Sequence, residues 1–164
     1  MGFAPKVSWF SLIKILPLFL LFFTAFNGMG IINISFLSIN IHYIIVYYWV
    51  LRQPGSLGYG VIFLSGIISD IVLGFPMGAN SLSLLFVAAV AAYIRVVTVR
   101  ITLINDWISF IPALLLANFI YFITLYFLDY TIDYLYLLKN SMFTFVFYPV
   151  FWMVFSASSK LIRF

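Results

Sequence analysis

Residues 66–81 read GIISDIVLGFPMGANS, and this stretch decides how the chain has to fold. Asp70 stands in an otherwise apolar segment, and a turn rich in glycine and proline follows it at once. Residues four apart lie on one face of a helix, so Gly66, Asp70 and Gly74 form a single stripe. Small residues at this spacing allow the backbone of another helix to approach closely. The stretch therefore predicts a helix that is packed inside a bundle and ends in a tight turn.

The composition of the 164 residues is that of an integral membrane protein. Hydrophobic residues make up 66% of the chain and charged residues only 7%, whereas about 25% of residues are charged in soluble domains. The eight Lys and Arg residues are scattered singly between apolar blocks, so no nucleic-acid-binding surface is expected. The chain has no cysteine and no glutamate, and His42 is its only histidine. We therefore expect no catalytic residue, no metal site and no cofactor, and no enzymatic activity.

Six apolar stretches are candidates for membrane spans. A hydrocarbon core about 30 Å thick takes roughly 20 residues of helix. The six predicted helices cover residues 9–27, 31–51, 58–73, 80–99, 107–128 and 141–157. The breaks between them carry glycine, proline, asparagine or aspartate, which favour turns. The sequence thus predicts an all-α polytopic membrane protein, in which residues 1–164 form one bundle of six transmembrane helices.

Basic residues fall almost entirely on one side of this arrangement. If successive connections alternate sides, seven of the eight Lys and Arg residues share one side, and only Lys139 lies on the other. The seven are Lys6, Lys14, Arg52, Arg95, Arg100, Lys160 and Arg163. Because cytoplasmic connections retain Lys and Arg, both termini are predicted to be cytoplasmic.

The carboxylate of Asp70 needs hydrogen-bond partners inside the bundle. The nearest donors in sequence are the backbone N–H groups of the turn at residues 74–81 and the side chain of Asn80. Pro76 fixes its own backbone, while Gly74 and Gly78 allow conformations that other residues avoid. Two roles stay open for this group of residues. Asp70 either staples the turn between the third and fourth helices or lines a cleft used by a ligand, a proton or a partner protein.

Polar side chains in other predicted spans suggest contacts between helices. Asn33 and Asn40 are seven residues apart and would share a face of the second helix, with His42 to one side. Asn118 in the fifth helix is their predicted partner across the bundle. Interhelical hydrogen bonds of this kind contribute about 0.6 kcal/mol each. A polar ligand pocket is the alternative to this stabilising role.

The connection RVVTVRITLIND at residues 95–106 is predicted to lie on the cytoplasmic side. Arg95 and Arg100 are candidates for contact with a cytoplasmic partner, and simple anchoring of the topology is the alternative. Asp106 is assigned to this connection, which leaves Asp70 as the only acidic residue within a predicted span.

Several motifs resemble the bacterial rod shape-determining protein family MreD. They are the run YWVLRQP at residues 48–54, GYG at residues 58–60, and the pattern GxxxDxxxGxPxG at residues 66–78, followed by Asn80. Residues 44–86 carry the match, and the flanking helices agree in number, length and hydrophobicity. The second predicted span departs from the family because it begins with polar residues where the family usually has prolines.

The resemblance implies a non-enzymatic scaffold subunit of the cell-elongation machinery in the bacterial cytoplasmic (inner) membrane. Its partners would be an MreC-like protein, the actin-like MreB, and RodA with its penicillin-binding transpeptidase, and a homodimer is also compatible with it. Partner contacts or a structural turn are expected at Gly66, Asp70, Gly74, Pro76, Gly78 and Asn80.

The resemblance also implies a six-helix fold similar to the S components of energy-coupling-factor transporters. A rival function is therefore a substrate-binding membrane subunit for a vitamin-type or lipid-like molecule. A polar ligand needs several converging polar groups in a preformed cavity.

Overall fold

The computed structural model of the protein describes residues 9–28, 31–34, 37–98, 102–131 and 133–161. These residues form six helices and two short strands. In chain order they are α1 (Trp9–Phe26), β1 (Ile31–Ile34), β2 (Leu37–Asn40), α2 (Ile41–Arg52), α3 (Tyr59–Leu73), α4 (Ala79–Val97), α5 (Leu103–Phe127) and α6 (Tyr134–Leu161). The predicted helical class is confirmed.

Three of these helices are long and apolar enough to cross a membrane. They are α4, α5 and residues Tyr134–Ser158 of α6. The helix α3 has 15 residues and α2 only 12, so both are shorter than a complete span. The structure thus agrees with a membrane protein in which neighbouring helices must shield the shorter helices from lipid.

The predicted helix over residues 31–51 is wrong in its first half. Strands β1 and β2 pair antiparallel there, with Ile31 opposite Asn40 and Ile34 opposite Leu37. The sequence INISFLSINIH at residues 32–42 alternates apolar and polar residues on both sides of its centre, and this period of two favours strands. Asn40 then starts α2, because its side chain accepts a hydrogen bond from the backbone N–H of Tyr43 at 3.2 Å.

The start of α5 lies earlier in the chain than residue 107. Thr102 caps α5, and its hydroxyl accepts a hydrogen bond from the backbone N–H of Asn105 at 3.3 Å. The helix α6 likewise begins before residue 141, since the Asp133 carboxylate accepts a hydrogen bond from the Tyr136 N–H at 3.1 Å. Polar residues that were assigned to connections therefore cap helices.

The helix α2 forms the centre of the bundle. Residues 42–51 are all buried, and α2 contacts α1, α4, α5 and α6. Tyr47 of α2 contacts the rings of Phe110 and Tyr148, and the three ring centroids lie 4.6 to 5.7 Å apart. The most interior segment of the fold is thus also its shortest helix.

Successive helices run up and down between two ends of the bundle. We call the end that holds Arg52 and Arg95 the basic end. The opposite end, called the hairpin end, holds β1, β2 and the turn between α3 and α4. Tyr130, which follows α5, donates a hydrogen bond to the Gly74 carbonyl at 3.1 Å and so lies at the hairpin end as well.

Candidate functional site

The carboxylate of Asp70 is completely buried and accepts three hydrogen bonds. The Gly78 N–H donates to Oδ2 at 2.8 Å. The backbone N–H of Asn80 donates to Oδ1 at 3.1 Å, and its side-chain amide donates to the same oxygen at 2.8 Å. The donors predicted from the sequence are therefore confirmed, and both carboxylate oxygens are occupied.

Two glycines give the turn its shape. Gly74 has a φ of 70°, and its N–H donates to the Ile71 carbonyl at 3.3 Å while the Phe75 N–H donates to the Asp70 carbonyl at 2.9 Å. These two bonds end α3 in the pattern that requires a left-handed residue. Gly78 has a φ of 103° and precedes α4, and Pro76 lies between the two glycines. The motif GxPxG thus reverses the chain and aims two backbone N–H groups at Asp70.

The position of Asp70 also suits the electrostatics of α4. Gly78 and Asn80 lie at the start of α4, where unpaired N–H groups give the helix a partial positive charge. A carboxylate placed there satisfies these groups and ties the end of α3 to the start of α4. This geometry supports the structural role that the sequence left open for Asp70.

Gly66 lies where the backbones of α3 and α4 pack tightly against each other. A Cβ atom at this position would stand 2.4 Å from the Cα atom of Ser81 and 2.8 Å from its nitrogen. Both residues are buried. The stripe of Gly66 and Asp70 therefore packs inside the molecule and presents no surface to a partner. Among the candidate residues, Gly74 is the exposed one, and Pro76 and Gly78 are partly exposed.

A second buried carboxylate, which the sequence analysis assigned to a connection, lies at the basic end. Asp106 is in the first turn of α5 and is only 2% exposed. Its Oδ2 accepts hydrogen bonds from Arg52 Nη2 and Trp152 Nε1, both at 2.9 Å, and the Arg52 guanidinium lies 5.0 Å from the Trp152 ring centroid. Asp70 is thus not the only acidic residue within a helix. Thr102 lies two residues after Arg100 and four before Asp106, and a threonine is a preferred N-cap residue. It is the sequence signal that α5 begins early enough to include Asp106.

The two arginines proposed for cytoplasmic contacts have different outcomes. Arg95 Nη1 donates to the Val50 carbonyl at 3.1 Å, so it binds the last turn of α2 within the chain. Arg95 remains partly exposed, and its contact with a partner stays a prediction. Arg100 lies outside the described residues.

The predicted helix face shared by Asn33 and Asn40 is wrong, and no hydrogen bond among the described residues joins Asn40 to Asn118. Asn33 lies in β1, Asn40 caps α2, and the Asn118 side chain donates to the Leu114 carbonyl of its own helix at 2.7 Å. His42 is buried within α2, and its Nε2 has no hydrogen-bond partner among the described residues. The shared helix face disappears because the chain is a strand before Ile41.

The hairpin instead bonds to α6. The Asn140 side-chain amide donates to the Ser38 hydroxyl at 2.7 Å, and the Asn40 backbone N–H donates to the Thr144 hydroxyl at 2.8 Å. Thr144 in turn donates to the Asn140 carbonyl at 2.6 Å. These four residues are buried, so a polar network fixes the hairpin against α6.

A small polar cavity lies beneath the hairpin. Its volume is about 10 Å³, which is room for a single water. Amide and phenol side chains make up most of its wall. The lining residues are Ile31, Asn40, Tyr43, Asn80, Asn118, Tyr121, Tyr136, Leu137 and Asn140.

Comparisons with known proteins give no relative for this chain. No family model, no curated protein and no solved structure matches it. The resemblance to MreD and to transporter S components therefore stays a prediction that depends on the motifs quoted above.

Proposed function

We propose that the chain is a non-enzymatic scaffold subunit of the bacterial cell-elongation machinery, as its MreD-like motifs imply. The single observation that carries the proposal is the joint between α3 and α4. Gly66 allows the two helices to pack closely, and the Asp70 carboxylate accepts a hydrogen bond that the Gly78 N–H donates. The residues of the signature pattern thus form one structural unit. This supports the proposal that the resemblance to the MreD family is not due to chance.

The proposed topology has six crossings of the cytoplasmic membrane with the basic end in the cytoplasm. The helix α2 is about 18 Å long, and a four-residue strand adds about 13 Å, so together they match a core about 30 Å thick. Non-helical backbone at this depth is tolerated where protein surrounds it. The burial of residues 38–40 among neighbouring helices meets this condition.

Partner contacts in this proposal fall on exposed residues at the two ends. Met77 in the signature turn is 73% exposed and lies at the hairpin end, where an MreC-like protein would bind. At the basic end, Arg95 would face MreB. RodA and its transpeptidase would contact the apolar outer faces of the helices in the bilayer.

Co-purification in mild detergent with the MreC-like protein of the same cell tests the proposal. We expect recovery in a fixed ratio, which Met77→Lys abolishes without lowering the amount of protein in the membrane. Val96→Lys is the matched control, because Val96 is 81% exposed but lies at the basic end. Absence of the MreC-like protein from a well-folded wild-type sample would contradict the scaffold function.

A second candidate function is a membrane subunit that binds a small polar molecule. The interruption of the second span by a hairpin favours it, since discontinuous helices build the binding sites of many transporters. Native mass spectrometry of the purified protein tests this function. A bound small molecule of constant mass supports it, and its consistent absence from folded samples speaks against it.

A further inference from the structure

An open groove with aromatic walls lies at the hairpin end, between the end of α5 and the start of α6. Its volume is about 490 Å³, which falls within the range of small-molecule binding sites. Four of its six lining residues are aromatic and one is acidic. The lining residues are Tyr126, Phe127, Asp129, Tyr130, Thr131 and Tyr134. The groove thus places a carboxylate among aromatic rings.

Asp129 stands where the end of a helix usually has glycine. Its φ is 50°, and no other residue except glycine has a positive φ in the described parts of the chain. The Asp129 N–H donates to the Tyr126 carbonyl at 3.3 Å. The Tyr130 N–H donates to the Leu125 carbonyl at 3.1 Å, which completes the pattern that glycine serves best. Because a side chain in this conformation is unfavourable, the termination of α5 does not account for the carboxylate.

Contacts between side chains hold the aromatic walls of the groove in place. The Phe122 ring contacts those of Tyr126 and Tyr134, with centroid distances of 6.2 and 5.8 Å. The Tyr130 hydroxyl is fixed by its hydrogen bond to the Gly74 carbonyl. The groove is therefore formed before a ligand binds, which lowers the entropy cost of binding.

The Asp129 carboxylate is exposed and free to pair with a ligand. It takes part in no hydrogen bond or ion pair within the described ranges of the chain. No lining residue is basic, and a second carboxylate, that of Asp133, lies four residues further along as the cap of α6. The groove therefore carries negative charge, which repels anions and attracts cations.

The composition of the groove favours an organic cation over a metal ion. Calcium and magnesium need several oxygen ligands each, and Asp129 supplies the only carboxylate among the lining residues. An ammonium group, in contrast, is attracted both by a carboxylate and by the faces of aromatic rings. The groove offers both kinds of partner.

The groove lies at the level of the lipid headgroups. Both α5 and residues Tyr134–Ser158 of α6 are long and apolar enough to span a membrane, and the groove lies where the first ends and the second begins. Aromatic residues are enriched at this level in membrane proteins. That enrichment explains the rings, but it does not explain an unpaired carboxylate at a glycine position.

We propose that this groove binds an ammonium group, with Asp129 as its counter-charge and the surrounding rings as its apolar contacts. A lipid headgroup or a small soluble amine carries such a group, and the two share this chemistry. The proposal goes beyond the scaffold function. Its test requires no partner protein, so its failure is distinct from failure of the co-purification.

Protection of an introduced thiol tests the proposal, because the chain contains no cysteine. Thr131→Cys places a thiol in the exposed wall of the groove, and the variant is reconstituted in phosphatidylglycerol nanodiscs, where both ends of the bundle are accessible. The rate of modification by uncharged 2-hydroxyethyl methanethiosulfonate is measured in tetramethylammonium chloride and in sodium chloride at equal concentration. We expect tetramethylammonium at about 0.1 M to slow the reaction about threefold relative to sodium.

Three control variants separate binding from other effects of the salt. Met77→Cys is 73% exposed at the same end but outside the groove, so it should react equally fast in both salts. Asp129→Asn, combined with Thr131→Cys, removes the charge and keeps a residue that tolerates a positive φ. Tyr126→Leu, combined with Thr131→Cys, removes one ring of the wall. Each combination is expected to lose the protection.

A second lipid composition identifies the source of the ammonium group. Phosphatidylethanolamine replaces part of the phosphatidylglycerol, and the reaction of Thr131→Cys is measured in sodium chloride. A slower reaction shows that a lipid headgroup binds in the groove. An unchanged reaction, together with protection by tetramethylammonium, shows that the ligand is a soluble amine. Both results support the site.

Two results would overturn the proposal. The first is a Thr131→Cys rate that neither tetramethylammonium nor phosphatidylethanolamine lowers, or lowers no more than the rate of Met77→Cys. The second is protection that persists in both Asp129→Asn and Tyr126→Leu, because the ammonium group would then bind elsewhere.

Discussion

At the scale of single residues, the role of Asp70 follows from the number of donors that point at it. Three N–H groups from two residues converge on one buried carboxylate. Removing it leaves the start of α4 without a cap and several buried donors without an acceptor. The position of the residue, more than its charge alone, explains why an apolar helix contains it.

We expect Asp70→Leu to lower the free energy of unfolding by about 3 kcal/mol or more, since each unsatisfied buried donor costs about 1–3 kcal/mol. Thermal unfolding in detergent and the level of protein in the membrane both report this loss. Asp133→Leu is the control and should cost only about 1 kcal/mol, because Asp133 is an exposed cap of α6. Equal stability of the two variants would contradict the assigned role.

Gly66 is required because the Ser81 backbone leaves no room for a side chain there. Gly60 in the same helix provides the comparison. Gly66→Ala places a methyl group within 2.4 Å of the Ser81 backbone, so α3 and α4 must separate. We expect a loss of about 1–3 kcal/mol in the free energy of unfolding, as for other overpacked sites. Gly60→Ala, with no atom within 4 Å of the added Cβ, should be neutral or stabilising by about 0.5 kcal/mol. Denaturant titration of both variants checks the difference.

At the scale of elements, the second predicted span is divided at Asn40, the residue that caps α2. The residues before Asn40 alternate in polarity and pair as strands, and those after it are apolar on all sides and form a buried helix. An alternating pattern cannot be buried on all sides of a helix without burying its polar residues. Pairing as a hairpin allows Ser38 and Asn40 to reach partners on α6.

Asn40→Ala should destabilise the protein by about 1 kcal/mol, the usual cost of losing an N-cap. Hydrogen exchange should become faster at Tyr43, whose N–H loses its acceptor. Thr131→Ala, an exposed change outside any helix, should alter neither quantity. Unchanged exchange at Tyr43 in Asn40→Ala would show that another group caps α2.

At the scale of the whole molecule, one buried carboxylate at each end holds helices together. Asp70 joins α3 to α4 at the hairpin end, and Asp106 of α5 joins Arg52 of α2 to Trp152 of α6 at the basic end. Hydrophobic attraction does not drive helices together in lipid, so polar contacts and close packing must supply the specificity. The two clusters therefore fix which helices are neighbours.

Asp106→Asn should lower the free energy of unfolding by about 3 kcal/mol, the lower end of the range for a broken buried ion pair. Arg52 is 26% exposed, so water compensates part of the lost charge contact. Trp152→Phe removes only one hydrogen bond and should cost about 1 kcal/mol. Asp129→Asn, on the surface after α5, serves as the control in the same unfolding assay. No difference between Asp106→Asn and Asp129→Asn would rule out the proposed link between helices.

The sequence by itself determined the membrane class, the six helices and the hydrogen bonds of Asp70. These depend on composition and on residues within about ten positions of each other, where spacing alone brings groups together. Tertiary structure alone decided that the hairpin bonds to α6, that Asp106 pairs with Arg52 and Trp152, and that polar side chains from α2, α4 and α5 surround one cavity. Those contacts join residues about 40 to 100 positions apart, and only the packing of the helices brings such residues together.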